Sequence, residues 1–199
     1  MGAARAEHLL GRAQGRQVLV NTLRRGFTLI ELMVGLAILA ILAMLVAPTL
    51  SEFIANTRIR STADSIAHGI RMASVEAIKR NACVEFVLVP ATGWELRSLD
   101  LCDAPTATTV LHQEPFSDAS GQVTVAPQPA GAAKLTYSPL GQYRAPNPFG
   151  GTAPIRFVNL TNAAIANPHP LRVLADPALG VGVRVCDPKF NLPDPIGCP

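Results

Sequence analysis

The chain has 199 residues, 49% of them hydrophobic and 16% charged, enough apolar side chain to close a core, which excludes global disorder and a collagen-like fibre. Its formal charge of +3 is local: residues 1 to 26 carry five arginines against Glu7, a balance of +4, which leaves the remainder at −1. Charge alone therefore gives no support for DNA binding.

Residues 1 to 26 end Leu23-Arg24-Arg25-Gly26, contain no strong hydrophobic run, and read as a cytoplasmic tail or leader. Residues 32 to 47 then pass without a charge. As a helix, residues 27 to 47 are about 31 Å long at ~1.5 Å per residue, which matches a hydrocarbon core of ~30 Å. The segment spans a bilayer once. Arg24 and Arg25 abut its start and Glu52 follows its end, so the positive-inside bias puts the N-terminus in the cytoplasm and the bulk of the chain outside. Two residues do not suit a plain anchor. The carboxylate of Glu31 costs on the order of 2.5–3.5 kcal/mol at the bilayer centre and less near the interface, so it calls for a partner. Pro48 removes an N–H and crowds the preceding turn, which predicts a kinked or locally unwound helix there.

Beyond Pro48 the pattern turns amphipathic. Ile59, Ala63, Ile66, Ile70, Ala73 and Ala77 step by four and three, with most charges off that line, so the helix is expected to continue to about Arg80 with one buried stripe. From Val84 the texture is β. Two alternating runs around Pro90-Ala91-Thr92-Gly93 read as a hairpin, and further strands are expected at 122–126, 134–137, 155–159, 171–174 and 182–186. The result is an α+β chain: one long N-terminal helix and a head built on an antiparallel sheet or small sandwich. Its parts are a leader (1–26), a membrane or assembly helix (27–48), an amphipathic continuation (49–81) and a β-rich head (82–199).

All four cysteines, Cys83, Cys102, Cys186 and Cys198, follow the membrane segment, where an oxidising compartment favours disulfides. Four cysteines allow three pairings. Cys83 and Cys102 flank the hairpin with numbers that sum to 185, near the 183 expected for cross-strand neighbours, which favours that pair and leaves Cys186 with Cys198. A metal site lacks a Cys-x-x-Cys or a nearby histidine pair.

The run Arg24-Arg25-Gly26-Phe27-Thr28-Leu29-Ile30-Glu31-Leu32-Met33 closely resembles the class III signal of type IV pilins and type II secretion pseudopilins. A twin-arginine or Sec signal fits less well, since Glu31 interrupts the apolar region and Pro48 follows Ala47. The resemblance implies cleavage between Gly26 and Phe27 by a prepilin peptidase, N-methylation of Phe27, and Glu31 and Pro48 as fifth and twenty-second mature residues, positions where the family carries Glu and Pro. The physics is coherent: once apolar helices bundle, Glu31 faces the methylated amine of a neighbour's Phe27 instead of hydrocarbon.

In the head, Ser74-Val75-Glu76-Ala77-Ile78-Lys79-Arg80-Asn81, Gly93-Trp94, Tyr137-Ser138-Pro139-Leu140-Gly141 and Gly182-Val183-Arg184-Val185-Cys186 are similar to the GspH/FimT group of minor pseudopilins and minor pilins. That group's fold is a type IV pilin-like long helix packed on a β-sandwich. The resemblance implies a non-enzymatic subunit of a secretion pseudopilus or type IV pilus, anchored in the inner membrane with a periplasmic head. Its implied partners are other pilins or pseudopilins, a prepilin peptidase, an inner-membrane assembly platform and membrane lipid; no cofactor is implied. The competing expectation is a DNA-binding minor pilin for natural transformation. Some FimT proteins carry Gly-Arg-x-Arg near the C-terminus; here Arg184 matches the second arginine, while Gly182 and Val181 replace the first arginine and the glycine. Arg172 and Lys189 are the cations that would join Arg184, with Asp176 and Asp187 offsetting them. His112 and Glu114, two apart, read as a solvated loop pair in the absence of a nucleophile, and Trp94 reads as core.

Overall fold

The computed structural model describes residues 26–90, 92–116, 122–148, 150–175 and 182–199. The leader expected over the first 26 residues lies outside them except for Gly26. The chain divides into two compact units, Met1–Ala43 and Met44–Pro199. Helix α1 (Leu29–Arg80) contributes to both. Its backbone is helical through Pro48, so the unwinding expected there is absent.

The Leu29–Val46 stretch, most of it in the first unit, is apolar apart from Glu31, and none of it is buried. In the second, the whole expected stripe, Ile59, Ala63, Ile66, Ile70, Ala73 and Ala77, is fully buried. Ten strands follow: β1 (Val84–Val89), β2 (Gly93–Leu99), β3 (Thr108–Pro115), β4 (Val123–Gln128), β5 (Lys134–Tyr137), β6 (Tyr143–Arg144), β7 (Phe157–Asn162), β8 (Leu171–Leu174), β9 (Arg184–Asn191) and β10 (Gly197–Cys198). They form two five-stranded sheets, ordered β3-β2-β1-β5-β6 and β10-β9-β8-β7-β4. Phe86, Leu88, Trp94, Leu96 and Leu135 from the first sheet share one core with Val125, Val158, Leu160 and Val173 from the second and with the helix stripe. Each such side chain stabilises the fold by ~1.5–3 kcal/mol on full burial. The fold is α+β and pilin-like.

Several strand expectations need correction. The hairpin register is Val84 opposite Ser98, one residue from that expected. β7 begins two residues late, and β9 starts at Arg184 and runs on to Asn191. β3, β6 and β10 were not anticipated: β3 is polar and mostly exposed, and two-residue strands have no period to read. The pair β10–β9 is parallel, against the all-antiparallel expectation.

The helix lies close to the first sheet at Gly69, where an added Cβ would stand 2.7 Å from Trp94 Cδ2 and 2.8 Å from Phe86 Cε2. Trp94 is held by its Nε1–H, which donates to Ser65 Oγ at 3.0 Å. Alanine at Gly69 gains ~1 kcal/mol of helix propensity but overpacks a ring pair, at ~1–3 kcal/mol. Gly69→Ala is therefore expected to destabilise the fold by a net ~1 kcal/mol and lower the thermal midpoint by about 2–4 °C; a raised midpoint would show that the rings repack freely.

The β2–β3 connection is organised by Asp100. Its Oδ1 accepts from the N–H groups of Leu101 and Thr106, both at 2.9 Å, and its Oδ2 accepts from the Thr106 hydroxyl. The Thr106 hydroxyl, followed by backbone N–H donors, favours the carboxylate and holds its pKa down at about 2, against 3.8 for a free aspartate. A depressed carboxylate pKa stabilises the fold above the unfolded value and ceases to do so as pH falls through the folded one. The Leu101 and Thr106 amide resonances should thus titrate with a midpoint near 2, not near 3.8; NMR of Asp100→Asn should show neither shift.

Candidate assembly and processing site

The start of α1 follows from a local motif. Thr28-Leu29-Ile30-Glu31 has the spacing of a capping box: the Glu31 N–H donates to Thr28 Oγ1 at 3.2 Å, and the Leu32 N–H donates to Thr28 O at 3.1 Å. Gly26 and Phe27 precede the helix in an exposed, non-helical segment, with Phe27 at 85% exposure. The Glu31 side chain is exposed, and among the described residues its carboxylate has no ion pair. It stands in an unburied apolar helix, the condition in which a carboxylate requires an external partner.

The cations named for DNA contact lie in the second sheet and are already engaged. Arg172 stacks over the Phe157 ring at 4.5 Å and donates from Nε to Asn159 Oδ1 at 2.8 Å. Arg184 donates to the Pro195 carbonyl at 2.6 Å, and Lys189 Nζ to the Pro168 carbonyl at 3.2 Å. The register sets Arg172 opposite Cys186 and Arg184 opposite Leu174, so both arginines share the face bearing Leu174, Cys186 and Cys198, a small second cluster that also packs Phe157. Their positions cover this cluster and tie down the C-terminal turn.

The cysteines pair Cys83 with Cys102 and Cys186 with Cys198. His112 and Glu114 belong to β3, not to a loop, and stand 3.5 Å apart and exposed. Among the described residues no His, Cys, Asp or Glu cluster has the geometry to hold a metal.

One buried charge escaped the sequence reading. Glu85 is fully buried, with Lys134 Nζ 3.3 Å from its Oε2. Burial pushes its pKa up, and Lys134 opposes that shift. Alternation with Val84 and Phe86 places Glu85 on the face away from the helix, where water is expected. Opposite it in register is Thr136, whose hydroxyl donates to buried Asn147 Oδ1 at 3.2 Å. The irregular segment around Asn147 thus covers this face, and no local sequence period announces such a cover.

Comparison with known proteins bears on both halves. The prokaryotic N-terminal methylation motif matches residues 21–47. The type II transport protein GspH profile matches residues 62–177. Type IV major fimbrial protein FimA of Dichelobacter nodosus is 35% identical over 74 residues, 37% of this chain and 45% of that protein. FimA of Dichelobacter nodosus strain VCS1703A is 36% identical over 64 residues, 32% of this chain and 39% of that protein. The chain thus spans less than half the length of these fimbrial relatives. No solved structure matches. Because that profile takes in more than half of the residues, including the end of α1 and most of both sheets, the chain belongs to the GspH family of type II transport proteins.

Proposed function

We propose that this chain is a structural, non-enzymatic pseudopilin, a minor subunit of a type II secretion pseudopilus. It is made as a precursor with residues 1–26 as leader, cut between Gly26 and Phe27 by a prepilin peptidase, and N-methylated at Phe27. Residues 27–48 hold it once through the inner membrane with the N-terminus cytoplasmic. Residues 49–81 and the 82–199 head stand in the periplasm. An assembly platform then moves the helix from lipid into the filament, where Glu31 meets the Phe27 amine of another subunit and Pro48 marks where the helix can loosen during transfer.

The observation that carries this reading is an N-terminal methylation motif over residues 21–47 that coincides with an apolar, unburied helix holding Glu31. The choice of pseudopilus over type IV pilus rests on the head: the transport profile covers 62–177, whereas the likeness to fimbrial proteins covers 37% of the chain at most. The alternative of DNA capture is weaker, because Arg172, Arg184 and Lys189 already bind protein groups and multi-phosphate affinity needs several free cations. Mass spectrometry of the protein from cells with an active prepilin peptidase is expected to find N-methylated Phe27 as the first residue. A chain that still begins at Met1 would overturn the proposal.

A further inference from the structure

The two sheets end in four edges, and three are blunted. β6 and β10 are two residues long, and β4 contains Pro127. β3 differs: it has eight residues, proline only at its last position, and, among the described residues, β2 as its one neighbour. A long open edge of this kind is one that proteins ordinarily shorten, cover or interrupt.

The ladder shows which groups face outward. The Phe116 N–H donates to Thr92 O at 2.9 Å. In an antiparallel pair the bonded residues alternate, so Glu114 and His112 bond to β2 while Gln113 points outward. Past the irregularity between Leu96 and Arg97, the Asp100 N–H donates to Ala107 O at 3.2 Å, which turns Thr108 and Val110 outward. The N–H groups of Thr108, Val110 and Gln113 therefore form a row of donors with matching carbonyls.

Beside this edge is a cleft of about 490 Å³ between β3 and α1, in which His112 and Glu114 face Asp64 and His68 with Trp94 between them. Its acidic groups are the carboxylates of Asp64 and Glu114. Asp64 lies 3.9 Å from the guanidinium of exposed Arg60, whereas Glu114 has the His112 imidazole 3.5 Å away and, among the described residues, no lysine or arginine paired to it.

We propose that the outer edge of β3 accepts an extended segment of another polypeptide as an added strand, with a lysine or arginine of that segment seated in the cleft against Glu114. The open backbone requires an extended occupant, and the acidic cleft requires a basic side chain. A second copy does not meet that requirement edge to edge: β3, β4 and β10 contain no lysine or arginine, and Arg144 of β6 is held by Asp103 Oδ1 at 2.5 Å and the Cys102 carbonyl at 3.3 Å. The occupant is therefore a different chain, one that presents an unpaired strand with a lysine or arginine.

The test uses the full chain in detergent micelles and two labelled octapeptides of alternating threonine and valine, one with a central lysine and one with a central glutamate. Fluorescence anisotropy is expected to show the lysine peptide binding about tenfold or more tighter than the glutamate peptide. Val110→Pro combined with Gln113→Pro removes outward donors without touching the β2–β3 ladder, and is expected to abolish binding. Glu114→Lys leaves the backbone intact and is expected to reverse the preference between the peptides, so the charge claim stands apart from any folding defect of the proline variant. Equal affinity for the two peptides, binding unchanged in a folded proline variant, or a dimer in sedimentation that the proline pair dissolves would each overturn the proposal.

Discussion

Replacing Glu31 with leucine is expected to abolish entry into the filament while leaving membrane insertion intact or improved. Leucine removes a carboxylate that costs on the order of 2.5–3.5 kcal/mol at the bilayer centre, so the variant should partition at least as well into the membrane fraction. Removing one member of a desolvated ion pair costs ~3–5 kcal/mol, roughly a hundredfold or more in assembly. The capping box offers a rival account, since Glu31 is also at the third helical position after Thr28. The two accounts separate cleanly. Glutamine at Glu31 keeps the capping geometry and loses the charge, whereas Thr28→Ala loses the cap, at ~1 kcal/mol, and keeps the charge. If the charge acts between subunits, Glu31→Gln fails with Glu31→Leu and Thr28→Ala assembles; if the cap is what matters, the order reverses. Immunoblots of sheared filaments against membranes read the outcome, and normal amounts of Glu31→Leu in the sheared fraction would remove the pairing from the mechanism.

The parts of this chain that could be read from sequence are those where one physical constraint dominates a whole segment. The stripe from Ile59 to Ala77 was legible because a single helix face is excluded from water, and all six of its residues are fully buried. The apolar helix before Pro48 was legible because residues 32–47 pass without a charge. Val84–Val89 and Lys134–Tyr137 were legible as short apolar runs between turn residues. What escaped depends on neighbours distant in sequence. Thr108–Pro115 is a strand because β2 offers it a ladder, although its own residues are polar. Glu85 is buried because a remote irregular segment covers its face. The engagement of Arg172, Arg184 and Lys189 by Asn159, Pro195 and Pro168 likewise depends on tertiary contacts that a count of cations cannot supply. In the candidate assembly site, Glu31 stood out because charge in an apolar run is conspicuous; the exposed edge beside Glu114 did not, since an open edge is a property of a sheet.

Loss of the Cys83–Cys102 bond is expected to be felt by the whole head, whereas loss of Cys186–Cys198 should be felt mainly at the C-terminus. Loop-closure entropy does not distinguish them: separations of 19 and 12 residues each correspond to ~3 kcal/mol on the chain-entropy model, differing by only about 0.4 kcal/mol. The difference lies in what else restrains each segment. Cys83 directly precedes β1, at the junction between α1 and the first sheet, and the Leu99 N–H donates to its carbonyl at 2.9 Å. Arg144 of β6 reaches the Cys102 carbonyl from the opposite edge of the same sheet. Freeing this junction loosens helix and sheet together, so Cys83→Ala with Cys102→Ala should lower the midpoint by roughly 6–12 °C, at ~2–4 °C per kcal/mol for a chain of this size. Cys198 instead belongs to a two-residue strand that, among the described residues, pairs only to β9, and its loop is held by the Arg184–Pro195 bond and a few turn contacts. Cys186→Ala with Cys198→Ala should therefore let residues 192–199 open locally, giving rapid amide exchange and proteolytic trimming with a much smaller fall in the midpoint. Equal midpoint losses from the two double variants would mean that the C-terminal turn unfolds together with the core, contrary to its small separate cluster.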